Sequence, residues 1–94
     1  MKLKRIDGSI IIDKPDIDNL KELVEYCVEE GISLESANLR SSDLRNIDFS
    51  NVDLQYADFR NSDIRDSDFC NADIRGTDFR NSDFCVADFS FAIL

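Results

Sequence analysis

The sequence predicts an all-β solenoid with a small hairpin-and-helix unit at its N-terminal side. Three observations predict it. Large apolar residues recur at every fifth position from Leu34 to Leu94, thirteen times without a slip. A small or β-branched residue stands two positions before each, and an Asp immediately precedes ten in a row, from Asp43 to Asp88. Residues 1–31 follow neither rule. A period of five suits no ordinary element: it visits every side of an α-helix and changes face at each step along a flat strand. Repetition at a fixed short period is instead the mark of stacked units, each too small to bury its own apolar face.

The segment before the repeat, residues 1–31, reads as ordinary α+β sequence. Asp7-Gly8 is a tight-turn dipeptide between Leu3–Ile6 and Ile10–Ile12, which predicts a short hairpin. Pro15 and Asp16 then open a helix, with Asp16 expected as the N-cap. Ile17, Leu20, Leu23, Val24, Cys27 and Val28 recur at helical spacing until Gly31 stops the run. Asp18, Lys21, Glu22, Glu25 and Glu29 take the other face. One side of this helix must be buried, and the first repeat units around Leu34 and Leu39 are its expected partner.

Residues 32–94 form the second segment. Units such as Ala37-Asn38-Leu39-Arg40-Ser41 and Ala57-Asp58-Phe59-Arg60-Asn61 resemble the pentapeptide-repeat family, whose unit runs Ala-(Asp/Asn)-Leu-X-X. The resemblance covers roughly two-thirds of the chain. It implies a right-handed quadrilateral β-helix in which each pentapeptide forms one side and four make a coil. The thirteen units would then give a little over three coils, about 15 Å tall at ordinary strand spacing. Residues twenty apart should stack. Inside, that places Phe49, Phe69 and Phe89 in one column and Leu39, Phe59 and Phe79 in another. Leu44, Ile64 and Phe84 make a third, and Leu34, Leu54, Ile74 and Leu94 the last. An aromatic column of this kind packs a core and is not a ligand cage. Ile47 and Val52 replace the usual small residue in the first coil.

Composition bounds the function. Twenty Asp and Glu face eleven Lys and Arg, with no His. Such a balance disfavours nucleic acid and anionic membrane as direct partners and favours a protein with a basic surface. No apolar run reaches membrane length, the start lacks a secretory pattern, and the three Cys show no framework spacing, so a reducing cytoplasm is the expected location. Without His there is no imidazole acid–base chemistry and no His-ligated metal site. The glycine-rich nonapeptide of calcium-binding β-rolls is missing as well, and no cofactor or metal is expected. Cys27 reads as core, while Cys70 and Cys85 fall on different columns. A convex rod without a cleft is expected to be non-catalytic.

The outer faces differ in charge. Asp58 and Asp78 share a face with Arg40, Arg60 and Arg80; Asp43, Asp63, Asp83 and Asp66 share one with Arg45 and Arg65; Glu35, Asp53 and Asp73 have Arg75. Asp48, Asp68 and Asp88 have only Ser50, Cys70 and Ser90 beside them. The acidic residues Asp48, Asp68, Asp88, Asp43, Asp63, Asp83, Asp66, Asp53 and Asp73 are therefore candidate partner contacts. One reading makes the uncompensated ladder an imitation of the DNA phosphate track, which would occupy a basic DNA-binding groove. The resemblance implies the same, since the fluoroquinolone-resistance members of the family are acidic rods that engage DNA gyrase. A gyrase-like topoisomerase or a nucleic-acid-targeting defence complex is then the expected target. The other reading is a structural or assembly module, in which Asp belongs to the repeat because its side chain bonds nearby backbone. At the far end, Val86, Phe91, Ile93 and Leu94 are apolar at outward or terminal positions, and a homodimer through that end is expected.

Overall fold

In the computed structural model, which describes all 94 residues, the backbone of the repeat enters the left-handed region at every fifth residue. Ser36, Ser41, Asn46, Asn51, Tyr56, Asn61, Asp66, Asn71, Gly76, Asn81, Val86 and Phe91 all have φ between 53° and 72°. Each of these residues turns the chain, so the segments between them pair through single bridging residues and never lengthen into strands. Asn, Asp and Gly tolerate this conformation best, and they fill seven of the twelve positions.

The bridging residues occupy the Asp position and pair in parallel with the residue twenty further on. Asn38 pairs with Asp58 and Asp58 with Asp78; the other series are Asp43–Asp63–Asp83, Asp48–Asp68–Asp88 and Asp53–Asp73–Ile93. The chain thus meets itself after four pentapeptides, which makes a β-solenoid of twenty-residue rungs and four columns. Main-chain hydrogen bonds join the rungs. The Phe49 N–H donates to the Asp68 carbonyl at 2.7 Å, and the Asp68 N–H donates to the Ile47 carbonyl at 2.9 Å.

The core follows from this stacking. Phe69 lies between Phe49 and Phe89 with ring centroids 4.9 and 4.8 Å away and planes nearly parallel. Phe59 and Phe79 stack at 5.3 Å, and neighbouring columns meet edge to face, as Phe49 and Phe59 do at 5.7 Å. Where the small inward residue is Ser62 or Ser67, its hydroxyl ties rungs together. The buried Ser67 Oγ donates to the Leu44 carbonyl at 2.8 Å and accepts from the Ile47 N–H at 3.1 Å. A buried hydroxyl with both bonds made carries no desolvation penalty to speak of. Ile47 and Val52 are buried, and their carbonyls accept the Asp68 and Asp73 N–H groups of the following rung at 2.9 and 3.0 Å.

At the N-terminal side, β1 (Lys2–Lys4) and β2 (Ile10–Asp13) form the expected antiparallel hairpin, with an irregular register between Leu3 and Lys4. Strand β1 ends at Lys4: the Arg5 N–H closes the hairpin turn on the Ser9 carbonyl at 2.8 Å, and Arg5 also bridges Ala37 of the first rung. The Ile6 N–H and the Asn38 N–H complete this junction on the Ser36 and Lys4 carbonyls, each at 2.9 Å. Helix α1 spans Leu20–Glu29. Its N-cap is Asn19, which corrects the expectation of Asp16. Pro15 and Asp16 form a turn, closed by the Ile17 N–H on the Lys14 carbonyl at 3.0 Å, that buries Ile17 before the helix begins. The Asn19 Oδ1 then accepts the Glu22 N–H at 3.1 Å. Asn19-Leu20-Lys21-Glu22 carries the spacing of a capping box, a signal the Pro15-Asp16 pair obscured. Gly31 ends the helix as expected, with φ 70°. Leu23, Val24 and Cys27 are fully buried and belong to the same apolar cluster as Leu34, Leu39 and the phenylalanine columns.

The last rung has nothing stacked on it. Ile93 remains in the ladder opposite Asp73, so the chain stays ordered to its final unit. Phe84 is nevertheless 51 % exposed and Leu94 90 %. Leu94, which the spacing assigns to the inner series, is not covered.

Candidate protein-interaction surface

Every bridging Asp does a local job first. From Asp43 to Asp88, each Oδ1 accepts the N–H two residues on, at 2.8 to 3.4 Å. Asn38 makes the same bond to the Arg40 N–H at 3.3 Å. The turn therefore needs a carbonyl oxygen and not a charge.

On two and a half columns the charge has a further use. Arg45 lies 2.8 Å from Asp43 and 3.7 Å from Asp63, and Arg65 lies 2.6 Å from Asp63 and 3.6 Å from Asp83. Arg60 spans Asp58 and Asp78 in the same way, with Arg40 and Arg80 completing that column. Arg75 pairs with Asp73 at 2.6 Å. Arg45, Arg60, Arg65, Arg75 and Arg80 each serve the aspartate two residues before them, and four arginines, Arg40, Arg45, Arg60 and Arg65, reach the next rung. Hydrogen bonds from Arg45 and Arg80 hold Asp43 and Asp78 down to about 2. For Asp58, burial opposes ionisation, but the bonds from Arg60 outweigh it and its carboxyl also titrates low.

Five of the nine candidate contacts have no cation within ion-pair distance: Asp48, Asp68, Asp88, Asp53 and Asp66. The first three form one column. Asp66 sits at the turn on one side of it, and Asp53 heads the neighbouring column on the other. Bonds from Ser50 and Ser90, side chain and amide, keep Asp48 and Asp88 below the ordinary carboxylate range. The other four candidates, Asp43, Asp63, Asp83 and Asp73, lie against arginine and contribute far less unbalanced charge.

The candidate end residues gather on the last rung. Val86 is 78 % exposed, Phe91 82 % and Ile93 50 %, beside Leu94 and the open edge of Phe84. Val86 and Phe91 hold left-handed backbone with φ of 62° and 60°. Tyr56 shares that conformation, but its ring covers Gly76, where a Cβ would fall 2.5 Å from it.

Residues 32–69 and 62–94 match the pentapeptide repeats, in eight copies. The chain belongs to the pentapeptide-repeat family. Pentapeptide repeats imply a β-helix and, as a class, act as non-catalytic modules of protein interaction. A search of the curated proteins finds no match to this pentapeptide-repeat chain. No helix in it is long and apolar enough to cross a membrane. The left-handed position has a mark in the sequence as well, Asn at 46, 51, 61, 71 and 81.

Proposed function

We propose that this pentapeptide-repeat protein is a right-handed, four-sided β-helix of about three coils, closed on one side by its hairpin and α1. It acts in the cytoplasm as an acidic binding module. Its working surface is the column Asp48, Asp68 and Asp88 with Asp66 and Asp53 beside it, and its partner is a protein with a basic groove. A groove built for DNA is the best match, which makes the module a mimic that inhibits or protects a DNA-handling protein such as a gyrase-like topoisomerase or a nucleic-acid-targeting defence complex. One observation carries this reading: on that column asparagine would close every turn as well as aspartate, and no arginine balances the charge.

The test follows directly. Asp48→Asn, Asp68→Asn and Asp88→Asn together keep the turns and remove three charges. Tagged parent and variant are used to capture partners from lysate at rising ionic strength. The parent is expected to retain a DNA-binding protein that duplex DNA and salt both displace, and the variant to lose it. Recovery of the same partners by the variant would defeat the reading.

A second reading, an assembly module without a DNA-like role, is supported by the turn bond that every bridging Asp makes. It shares one element with the first. Val86, Phe91, Ile93 and Leu94, with the uncovered Phe84, form an apolar end suited to a second copy, and we take the protein to be a homodimer through it. Phe91→Asp with Ile93→Asp should halve the mass in sedimentation; an unchanged mass refutes the dimer.

A further inference from the structure

Between rungs, the ladder is broken at one step. From Asp58 to Ile93, the N–H of each bridging residue donates to the carbonyl twenty-one residues earlier, as Asp58 does to Ala37 and Asp73 to Val52. At Asp53 the equivalent acceptor is the Ile32 carbonyl, and that bond is not made. The Ile32 N–H bonds the Cys27 carbonyl of α1 at 2.9 Å instead, so the chain is held toward the helix. The Asp53 N–H and the Ile32 carbonyl are left without a main-chain partner. The separation opens a groove of about 320 Å³. Val28, Ile32 and Val52 give it an apolar lining; Ser33, Ser50 and Asp53 give it polar edges.

The electrostatics of the groove are one-signed. Asp53 has no ion-pair partner, and Arg75 of the same column is engaged by Asp73 at 2.6 Å. The last turn of α1 carries no basic residue, while Glu29 and Glu30 stand exposed where the helix dipole is already negative. A cation entering here meets carboxylates and the negative end of the helix dipole, with nothing to repel it among the lining residues.

We infer that this groove receives an extended basic peptide from a partner protein, added as a strand across the broken step. The N–H of one peptide residue donates to the Ile32 carbonyl, and the carbonyl of the residue before it, which points the opposite way, accepts the Asp53 N–H. Its apolar side chain packs over Val28, Ile32 and Val52, and flanking Lys or Arg residues meet Asp53, Glu29 and Glu30. The site shares Asp53 with the proposed acidic surface but uses none of Asp48, Asp68 and Asp88, and it stands if that column proves to have no partner.

The experiment titrates the ¹⁵N-labelled full chain with the peptide acetyl-Lys-Val-Lys-Val-Lys-amide. Saturable shifts are expected at the amides of Gly31–Ser33 and Asn51–Asp53, with the Asp53 amide moving downfield as it gains a bond. The peptide acetyl-Glu-Val-Glu-Val-Glu-amide should leave these signals unmoved. Glu29→Gln, Glu30→Gln and Asp53→Asn together should weaken binding about ten-fold, as expected for three surface charge pairs. The same spectra report that this variant is folded, and Asn38 shows that Asn can replace Asp in the turn. The Asp48→Asn, Asp68→Asn, Asp88→Asn variant should bind like the parent. Absence of shifts at Ile32 and Asp53, shifts along the Asp48 column instead, or equal binding of the glutamate peptide overturns the inference.

Discussion

Val86→Asn should raise the stability of the folded chain although it removes an apolar residue. Val86 has φ 62°, a conformation that costs an ordinary L-residue about 1–2 kcal/mol and is least tolerable for a side chain branched at Cβ. Asparagine occupies the same position at 46, 51, 61, 71 and 81, with φ from 58° to 63°. Because Val86 is 78 % exposed, the exchange forfeits only about 0.4 kcal/mol of burial. The net gain is about 1 kcal/mol, which in a chain of this size raises the thermal midpoint by about 4–8 °C. Circular dichroism melts at two protein concentrations ten-fold apart separate this effect from self-association, to which Val86 is proposed to contribute. The reverse exchange, Asn81→Val at φ 58°, should lower the midpoint by a similar amount. If Val86→Asn lowers the midpoint at both concentrations while Asn81→Val leaves it unchanged, the assignment of strain to this position is wrong.

The other predictions rest on the core, the cap and the arginine ladders. Phe69→Ala, which empties a place between two stacked rings, should cost about 3–5 kcal/mol in urea denaturation, and Phe84→Ala, half-exposed at the open end, less than half as much. Asn19→Ala should cost about 1 kcal/mol, whereas Asp16→Ala should stay within about 0.5, which distinguishes the two possible caps by the same assay. Asp43 and Asp78 titrate at about 2 in the fold, below the unfolded carboxylate value. Their stabilisation is therefore complete above about pH 4 and is lost as pH falls toward 2, so thermal midpoints should drop across that window and not above it. Arg45→Gln with Arg80→Gln should flatten the drop.

The sequence by itself determined the repeat, the identity of the inward residues and the separation of balanced from unbalanced acidic faces. It could do so because a unit of five residues has one way to point its large side chain inward, and repetition confirms that choice at every turn. Columns of charge then follow from spacing alone. The cap of α1 was legible too, in Asn19 and Glu22, but a Pro-Asp pair upstream mimicked the same signal. Only the tertiary structure decided which aspartates are neutralised, because an arginine's reach to the next rung depends on distances of 3.4 to 3.7 Å between residues eighteen apart. It alone showed that Val86 and Phe91 hold left-handed backbone while remaining largely exposed. It alone revealed the open step at Ile32 and Asp53, since that step exists where two different folding rules meet: the helix claims Ile32 through a local hydrogen bond, and the ladder loses it.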